Sequence, residues 1–280
     1  MLNFPALSSF DAKRVSSPAG GARQVFDAKR TSSNQYWARV RHSEQRYAKL
    51  LRSIAKQAGS FITQLYAAGH ADAIEETLQN YADVLEPWAK SVSENMLADI
   101  AQKDEQAWLR HSKRMAAAMK AELETAPMGG IVNALRTRQV ELITSIPIEA
   151  AKRAQNLAFE AATGSSARAK EVSKMIMAFE EVTESRALLI ARTEIARSNA
   201  IIQEARATWI GSESYIWQTA RDKQVRSDHR ELQGQVFQWT APPIADKRAG
   251  VRAHPGCIYN CRCFAEPILP AKYQPRNKYE

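Results

Sequence analysis

The stretch of this chain with the most reactive side chains is HPGCIYNCRC at residues 254–263. It contains all three cysteines and one of the five histidines, and His229 lies 25 residues upstream. Thiolates and imidazoles are the ligands that suit a tetrahedral zinc ion. Cys261 and Cys263 are two residues apart, so an extended backbone directs both side chains to one face and Arg262 to the other. A Cys257–Cys261 disulfide, or cysteines that are merely buried, are alternatives that the residues leave open.

The elements that must position these residues are predicted from hydrophobic periodicity. One apolar stripe at helical spacing runs from Leu50 to Leu65, and a second runs from Ile74 to Ile100, where Pro87 is predicted to kink or split the helix. Such stripes indicate core packing or a contact with a partner helix. A further helical region spans residues 131–179, interrupted at Pro147 and at Thr163-Gly-Ser-Ser.

After an amphipathic helix over residues 184–202, the apolar period changes from helical spacing to two. Residues 215–219, 236–239 and 262–266 are therefore predicted to be short strands. The expected fold class is α+β: a mainly helical N-terminal two-thirds, then a small C-terminal domain. That domain combines one long helix and a short antiparallel sheet, stapled by the His/Cys cluster, since a metal helps to stabilise a thin core.

Composition excludes several classes of protein. The 280 residues are 45% hydrophobic and 25% charged, which is typical of a soluble protein. No apolar run approaches the ~20 residues of a membrane helix, and the N-terminus does not resemble a signal peptide. An odd number of cysteines confined to ten residues is not a secreted disulfide framework. We expect synthesis in a reducing cytoplasm and no membrane contact.

The N-terminal segment is basic and contains a repeat. Residues 1–60 have eleven Lys/Arg against three Asp/Glu, which accounts for nearly all of the net charge of +9. FDAKRVSS at 10–17 recurs as FDAKRTSS at 26–33, with Pro18-Ala-Gly-Gly between the copies. An aromatic anchor with charges, presented twice, predicts a flexible bivalent docking arm. Its predicted partner-binding residues are Phe10, Lys13, Arg14, Phe26, Lys29 and Arg30. A duplication without function, or a solvated tail, is the alternative.

The C-terminal motifs resemble a known family. LIARTEIARSNA at 189–200, then D-x-x-x-R-x-x-H-x-x-L-x-G from Asp222 and HPGxxxNCRC from His254, is similar to the phage Mu F-like minor head proteins, which act in phage head morphogenesis. The similarity covers about residues 130–270. The family pattern falls on Arg192, Thr193, Glu194, Asn199, Asp222, Arg226, His229, Leu232, Gly234, His254, Pro255, Asn260, Cys261 and Cys263.

The resemblance implies a structural, non-enzymatic protein of a tailed phage or prophage. Cys257 departs from the family pattern, so the implied metal ligands are His229, His254, Cys261 and Cys263, with zinc as the ion. The implied location is the virion, at the capsid interior or portal vertex, with roles in head assembly and in DNA packaging or delivery. Implied partners are the portal protein and non-specific double-stranded DNA, and contact with the major capsid or a scaffolding protein is also compatible.

A metal-dependent nuclease built on Asp228-His229, or another zinc enzyme acting on DNA, is the enzymatic alternative. The PCxxC element of zinc nucleobase deaminases is absent. The predicted organisation has five parts: a basic arm (1–35), a long-helix region (36–130), a helical connector (131–182), the Mu F-like domain (183–270) and a polar tail (271–280).

Overall fold

The computed structural model describes residues 32–112 and 117–273. The six predicted partner-binding residues of the arm, Phe10 to Arg30, lie outside them. Six helices come first: α1 (Ser32–Ala67), α2 (Ile74–Ser112), α3 (Ala117–Glu124), α4 (Gly129–Thr163), α5 (Ser166–Met177) and α6 (Phe179–Trp209). None of these described helices is long and apolar enough to cross a bilayer. The five-part division of the chain stays a prediction.

The C-terminal part is a small antiparallel sheet with one short helix. Its elements are β1 (Ser214–Thr219), α7 (Ser227–Leu232), β2 (Val236–Gln238), β3 (Ile244–Asp246), β4 (Val251–Arg252) and β5 (Cys263–Pro267). β1 lies between β2 and β5 and is antiparallel to both, while β3 and β4 form a separate hairpin. The predicted α+β class and the three predicted strands are confirmed. The hairpin and α7 have too few residues to produce a periodic signal.

The long helices bury the predicted apolar stripes against one another. α1 packs along α6, and α2 packs along α4. Leu51 and Ile54 of α1, Leu97 of α2, Ile143 of α4 and Ile195 of α6 meet in one core. The stripes are thus occupied inside the chain, which excludes these core positions as a partner surface. The C-terminal sheet has its own core, which Trp108 of α2 and Leu123 of α3 complete.

Neither internal proline ends its helix. α2 runs through Pro87, and α4 runs through Pro147, which is buried. The predicted interruption at Pro147 and the predicted split of the helix at Pro87 are therefore wrong, whereas the interruption at Gly164 is confirmed. A kink at Pro87 stays a prediction. A proline inside a helix costs about 3 kcal/mol. Burial of the apolar faces of these 39- and 35-residue helices offsets that cost.

α1 and α6 approach each other closely at Gly59. A Cβ at this position would lie 2.7 Å from the Cα of Glu180 and 3.0 Å from its Cβ. Because the obstruction is backbone at the start of α6, the two helices would have to separate.

We expect Gly59→Ala to lower the free energy of unfolding by about 1–3 kcal/mol, the usual cost of overpacking. Gly130→Ala in α4 is the matched control, since nothing lies within 4 Å of its Cβ position. There alanine should be neutral or stabilising by up to about 1 kcal/mol because of its helix propensity. Urea denaturation followed by circular dichroism measures both. Equal shifts in the two variants would contradict the close helix contact.

Candidate metal centre

Three of the four predicted ligands converge beneath the C-terminal sheet. His229 lies on α7, Cys261 in the loop before β5, and Cys263 at the first position of β5. The Nδ1 of His229 is 3.6 Å from the Sγ of Cys261 and 3.3 Å from the Sγ of Cys263. All three ligand atoms lie within 4.8 Å of one another. Tetrahedral bonds of about 2.0–2.3 Å place neighbouring ligands about 3.3–3.8 Å apart, so this group could hold one metal ion.

The tautomer of His229 is set by its second nitrogen. Nε2 lies 2.9 Å from the carbonyl oxygen of Ala245, which can only accept, so Nε2 carries the proton. Nδ1 therefore presents its lone pair to the two sulfur atoms, the orientation that a metal-binding imidazole needs. The ring of Trp217 packs edge-on against His229 at 5.4 Å and holds its plane.

The environments of the two cysteines favour a thiolate on Cys261 and a thiol on Cys263. A hydrogen bond from the Cys263 thiol, the neighbouring imidazole of His229 and the backbone N–H of Gly256 hold the pKa of Cys261 well below its usual range despite burial. The same contact with Cys261, together with burial, raises the pKa of Cys263. The Gly256 N–H lies 3.3 Å from the Sγ of Cys261. A buried thiolate with an imidazole lone pair beside it is a set of donors suited to a soft divalent cation.

His254 does not join this group. Its Nδ1 is 3.0 Å from the hydroxyl of Tyr215, and its Nε2 is 3.6 Å from the carboxylate of Glu204 on α6. Burial lowers the pKa of His254 to about 4 and raises that of Glu204 to about 7. The loop directs His254 onto the face of the sheet that bears Tyr215 and Trp239, where both rings contact it.

Cys257 also has a different environment. All three cysteines are free, so the structure does not contain the Cys257–Cys261 disulfide that the spacing left open. Burial raises the pKa of Cys257 to about 12. Its carbonyl oxygen accepts a hydrogen bond of 2.6 Å from Arg197 of α6. Cys257 thus contributes its backbone to holding the loop.

Several motif residues act on the loop rather than on an ion. Thr193 of α6 accepts from the backbone N–H of Asn260, which has a left-handed φ of 53°. Arg226 donates to the carbonyl of Tyr259 at 2.7 Å. Asp222 pairs with Arg262 at 2.7 Å, which turns the side chain between the two cysteines away from them. These contacts fix the backbone that carries Cys261 and Cys263.

The buried carboxylate of Glu194 connects α6, the helix that carries the LIARTEIARSNA motif, to α4. Its carboxylate receives two hydrogen bonds of 3.0 Å from Arg138 and one of 2.9 Å from Gln139, both on α4. The hydroxyl of Tyr47 on α1 donates to Gln139 at 2.9 Å. The sequence reasoning missed Arg138, Gln139 and Tyr47, because nothing in their spacing relates them to a glutamate 55 residues or more away. The signal that could have indicated such partners is Glu194 itself, because a carboxylate on the buried face of a helix needs hydrogen-bond donors or an opposite charge.

The two acidic groups next to His229 in sequence point elsewhere. The carboxylate of Asp228 accepts from the backbone N–H of Lys247 at 3.1 Å, and that of Glu231 pairs with the Lys247 ammonium at 2.6 Å. His229-Arg-Glu231 has the spacing of the deaminase HxE element. The carboxylate that would act as acid and base in that chemistry is turned outward here.

The comparisons with known proteins agree with this motif set. Residues 151–266 match the model of the family described as "Phage Mu protein F like protein". The resemblance is thereby confirmed over these residues, which form a phage Mu F-like segment. The chain is also 36% identical over 138 residues to an uncharacterised protein of Haemophilus influenzae, a match that spans 49% of this chain and 29% of that protein. No solved structure matches the chain.

Metal content tests the ligand set. We expect the anaerobically purified chain to bind one divalent transition-metal ion, and His229→Ala, Cys261→Ser or Cys263→Ser to reduce occupancy below about 0.2 per chain. His254→Gln should retain the metal, since its side chain faces Tyr215 and Glu204. Elemental analysis with a protein assay gives the stoichiometry. A folded wild-type chain without metal, or loss of the metal in His254→Gln, would contradict the three-residue set.

Gly256 tests how closely the loop must approach α6. Gly256 and Gly250 both have left-handed φ values, 90° and 65°, so alanine costs about 1–2 kcal/mol of backbone strain at either position. Only at Gly256 would a Cβ meet α6, 3.1 Å from the carbonyl oxygen of Ala196 and 3.2 Å from the Cβ of Ala200.

We expect Gly256→Ala to weaken metal affinity by about 10-fold or more, since displaced supporting groups typically cost 10–100-fold. Gly250→Ala should leave it unchanged. Competition with a chromogenic chelator measures both affinities. Equal affinities in the two variants would mean that the approach of the loop to α6 does not position Cys261.

Proposed function

We propose that this chain is a minor structural protein of tailed-phage heads that acts in head morphogenesis at the portal vertex. The observation that carries the proposal is the phage Mu F-like segment over residues 151–266, with its motif residues gathered around one loop. The match spans only 29% of the Haemophilus influenzae relative, so the proposed role rests on the residues of this chain and not on that protein. The virion is its proposed location.

The proposed role of the metal is structural, with zinc as the ion. The candidate ligands lie on α7, on the loop before β5 and on β5 itself, which is an edge strand of a three-stranded sheet. An ion at His229, Cys261 and Cys263 would tie these segments together. Bound zinc contributes folding free energy where a core is small, and binding to Cys and His releases their protons. The same elemental analysis that counts the ion identifies it.

The burial of the ligands supports a non-enzymatic function. His229, Cys261 and Cys263 are each at most 2% exposed, which leaves no ligand face open to a macromolecular substrate. A nuclease built on Asp228-His229 would need the Asp228 carboxylate near the ion. That carboxylate instead accepts the Lys247 N–H.

The proposed contacts with portal and DNA come from two features. The basic arm of residues 1–35 supplies the docking peptides and non-specific phosphate contacts, through Phe10, Phe26 and the Lys-Arg pairs that follow them. The apolar helical stripes are occupied in the core, so the portal contact falls to the arm and to exposed side chains. Phe159 and Met177 are such side chains, 72% and 59% exposed.

Assembly in a phage that encodes this chain tests the proposal. With the chain withheld by an amber mutation, we expect non-infectious particles. Full-length chain supplied in trans should be incorporated into heads and copurify with portal protein. Chain lacking residues 1–35 should be incorporated far less, because both docking segments are lost together. Mass spectrometry of purified heads measures incorporation. Normal infectious particles without the chain would overturn the head-assembly function, whereas normal incorporation of the truncated chain would overturn only the role of the arm.

A further inference from the structure

A groove of about 400 Å³ lies where α1, α6 and the loop before β5 meet. Four arginines and one carboxylate, Glu44, line it, and two carboxylates outside the lining, Glu184 and Asp222, pair with Arg52 and Arg262. The arginines are Arg41, Arg52, Arg192 and Arg262. An excess of guanidinium groups in one concave surface concentrates positive potential there and favours an anionic ligand.

The arginines come from three separate elements. Arg41 and Arg52 are eleven residues apart on α1, about three helical turns, and so lie on one face. Arg192 projects from α6 between Leu188 and Ala196, which share its face. Arg262 follows Cys261 in the loop that the motif residues hold against α6. The groove therefore exists only when the helices and the C-terminal part are packed together.

The existing ion pairs leave binding capacity in the groove. Arg192 pairs through Nε with Glu44 at 3.1 Å, and Arg52 reaches Glu184 only at 4.0 Å. In the described ranges no carboxylate lies within ion-pair distance of Arg41. The side chains of Arg52 and Arg192 are 47% and 48% exposed. Exposed ion pairs contribute at most about 1 kcal/mol, so a phosphate can replace a carboxylate here at small cost.

We propose that this groove binds the backbone phosphates of DNA. The backbone positions of Arg41 and Arg52 are about 16 Å apart along α1, a separation that suits contacts to different phosphates of one strand better than to a single phosphate. One DNA strand offers a phosphate every ~3.4 Å along the helix axis, so a strand crossing the groove presents several to the four arginines. Guanidinium forks bind phosphate oxygens in pairs, and such contacts carry no base preference.

This inference rests on the DNA contact in the proposed function and adds a second contact, on the folded body, to that of the arm. Arginine contacts on a rigid surface fix the path of a strand, whereas contacts from a flexible arm do not. The body would therefore hold DNA in one orientation relative to α1 and α6. The arm would add affinity without direction.

Full-length chain and a 25-base-pair duplex, titrated by fluorescence anisotropy at several salt concentrations, test the groove. Arg41→Gln/Arg52→Gln is the informative variant, since Arg41 has no carboxylate within ion-pair distance in the described ranges and Arg52 makes the longest ion pair of the other three. Lys152→Gln/Lys170→Gln removes the same charge from exposed helical positions outside the groove. Thermal unfolding confirms that both variants are folded. Arg41→Lys/Arg52→Lys keeps the charge but removes the forks.

We expect the Arg→Gln pair to weaken binding by about tenfold near 100 mM salt and to reduce the slope of log affinity against log salt by about 1.8, corresponding to two phosphates. The lysine control should change affinity less than twofold, and the Arg→Lys pair should lie between. Equal weakening by the Arg→Gln and control pairs would overturn the groove while leaving arm-mediated binding. Equal competition by poly-glutamate would mean a carboxylate-rich partner instead. No binding at low salt would remove both DNA contacts without affecting the test of head assembly.

Discussion

The fold depends on the buried carboxylate of Glu194. This side chain is 2% exposed, and Arg138 and Gln139 of α4 satisfy it while Tyr47 of α1 satisfies Gln139. Removing one partner of a buried ion pair costs about 3–5 kcal/mol, because the remaining charge has no water. Apolar packing alone would allow long helices to slide by a turn. The carboxylate permits one register of α1, α4 and α6.

That register positions the candidate metal centre. Thr193, which directly precedes Glu194 on α6, accepts from the backbone N–H of Asn260. Arg197, about one turn after Glu194, donates to the carbonyl of Cys257. The loop is thus attached to α6 at two points, and Gly256, which precedes both, packs closely against the same helix. The two cysteines that follow are delivered to a histidine whose tautomer is set by a backbone carbonyl. The metal would lock an arrangement that hydrogen bonds have already organised.

α1 and α6 each have a buried face in the core and an exposed edge that lines the groove. The inner faces of α1 and α6 bury aliphatic side chains, whereas their shared outer edge carries Arg41, Arg52 and Arg192. Because Arg262 completes that edge from the loop beside the cysteines, a metal ion held by the proposed ligands would also support one wall of the groove. Folding of the C-terminal part and the charge pattern of the surface are therefore coupled through one short segment of chain.

The helices, the three main strands and the chemical type of the site were readable from the sequence, because each depends on local periodicity or on residue type. The apolar stripe of α1 and the alternation in residues 215–219 predicted their elements directly. The i, i+2 spacing of Cys261 and Cys263 likewise predicted that both side chains would point toward the same candidate metal site. Resemblance to the Mu F-like family added Glu194 as a position of interest and placed His229, already a candidate ligand from its residue type, in the family pattern.

Only the tertiary structure decided which histidine faces the cysteines and which residues pair across long distances. His254 is nearer to the cysteines in sequence, but the loop turns it toward Tyr215, and α7 brings His229 instead. Helix continuity through Pro147 depended on burial against neighbouring helices, which no local pattern records. The partners of Glu194 and the arginine groove combine residues from helices far apart in the chain. Such contacts arise from tertiary packing, and no local pattern in a single sequence predicts them.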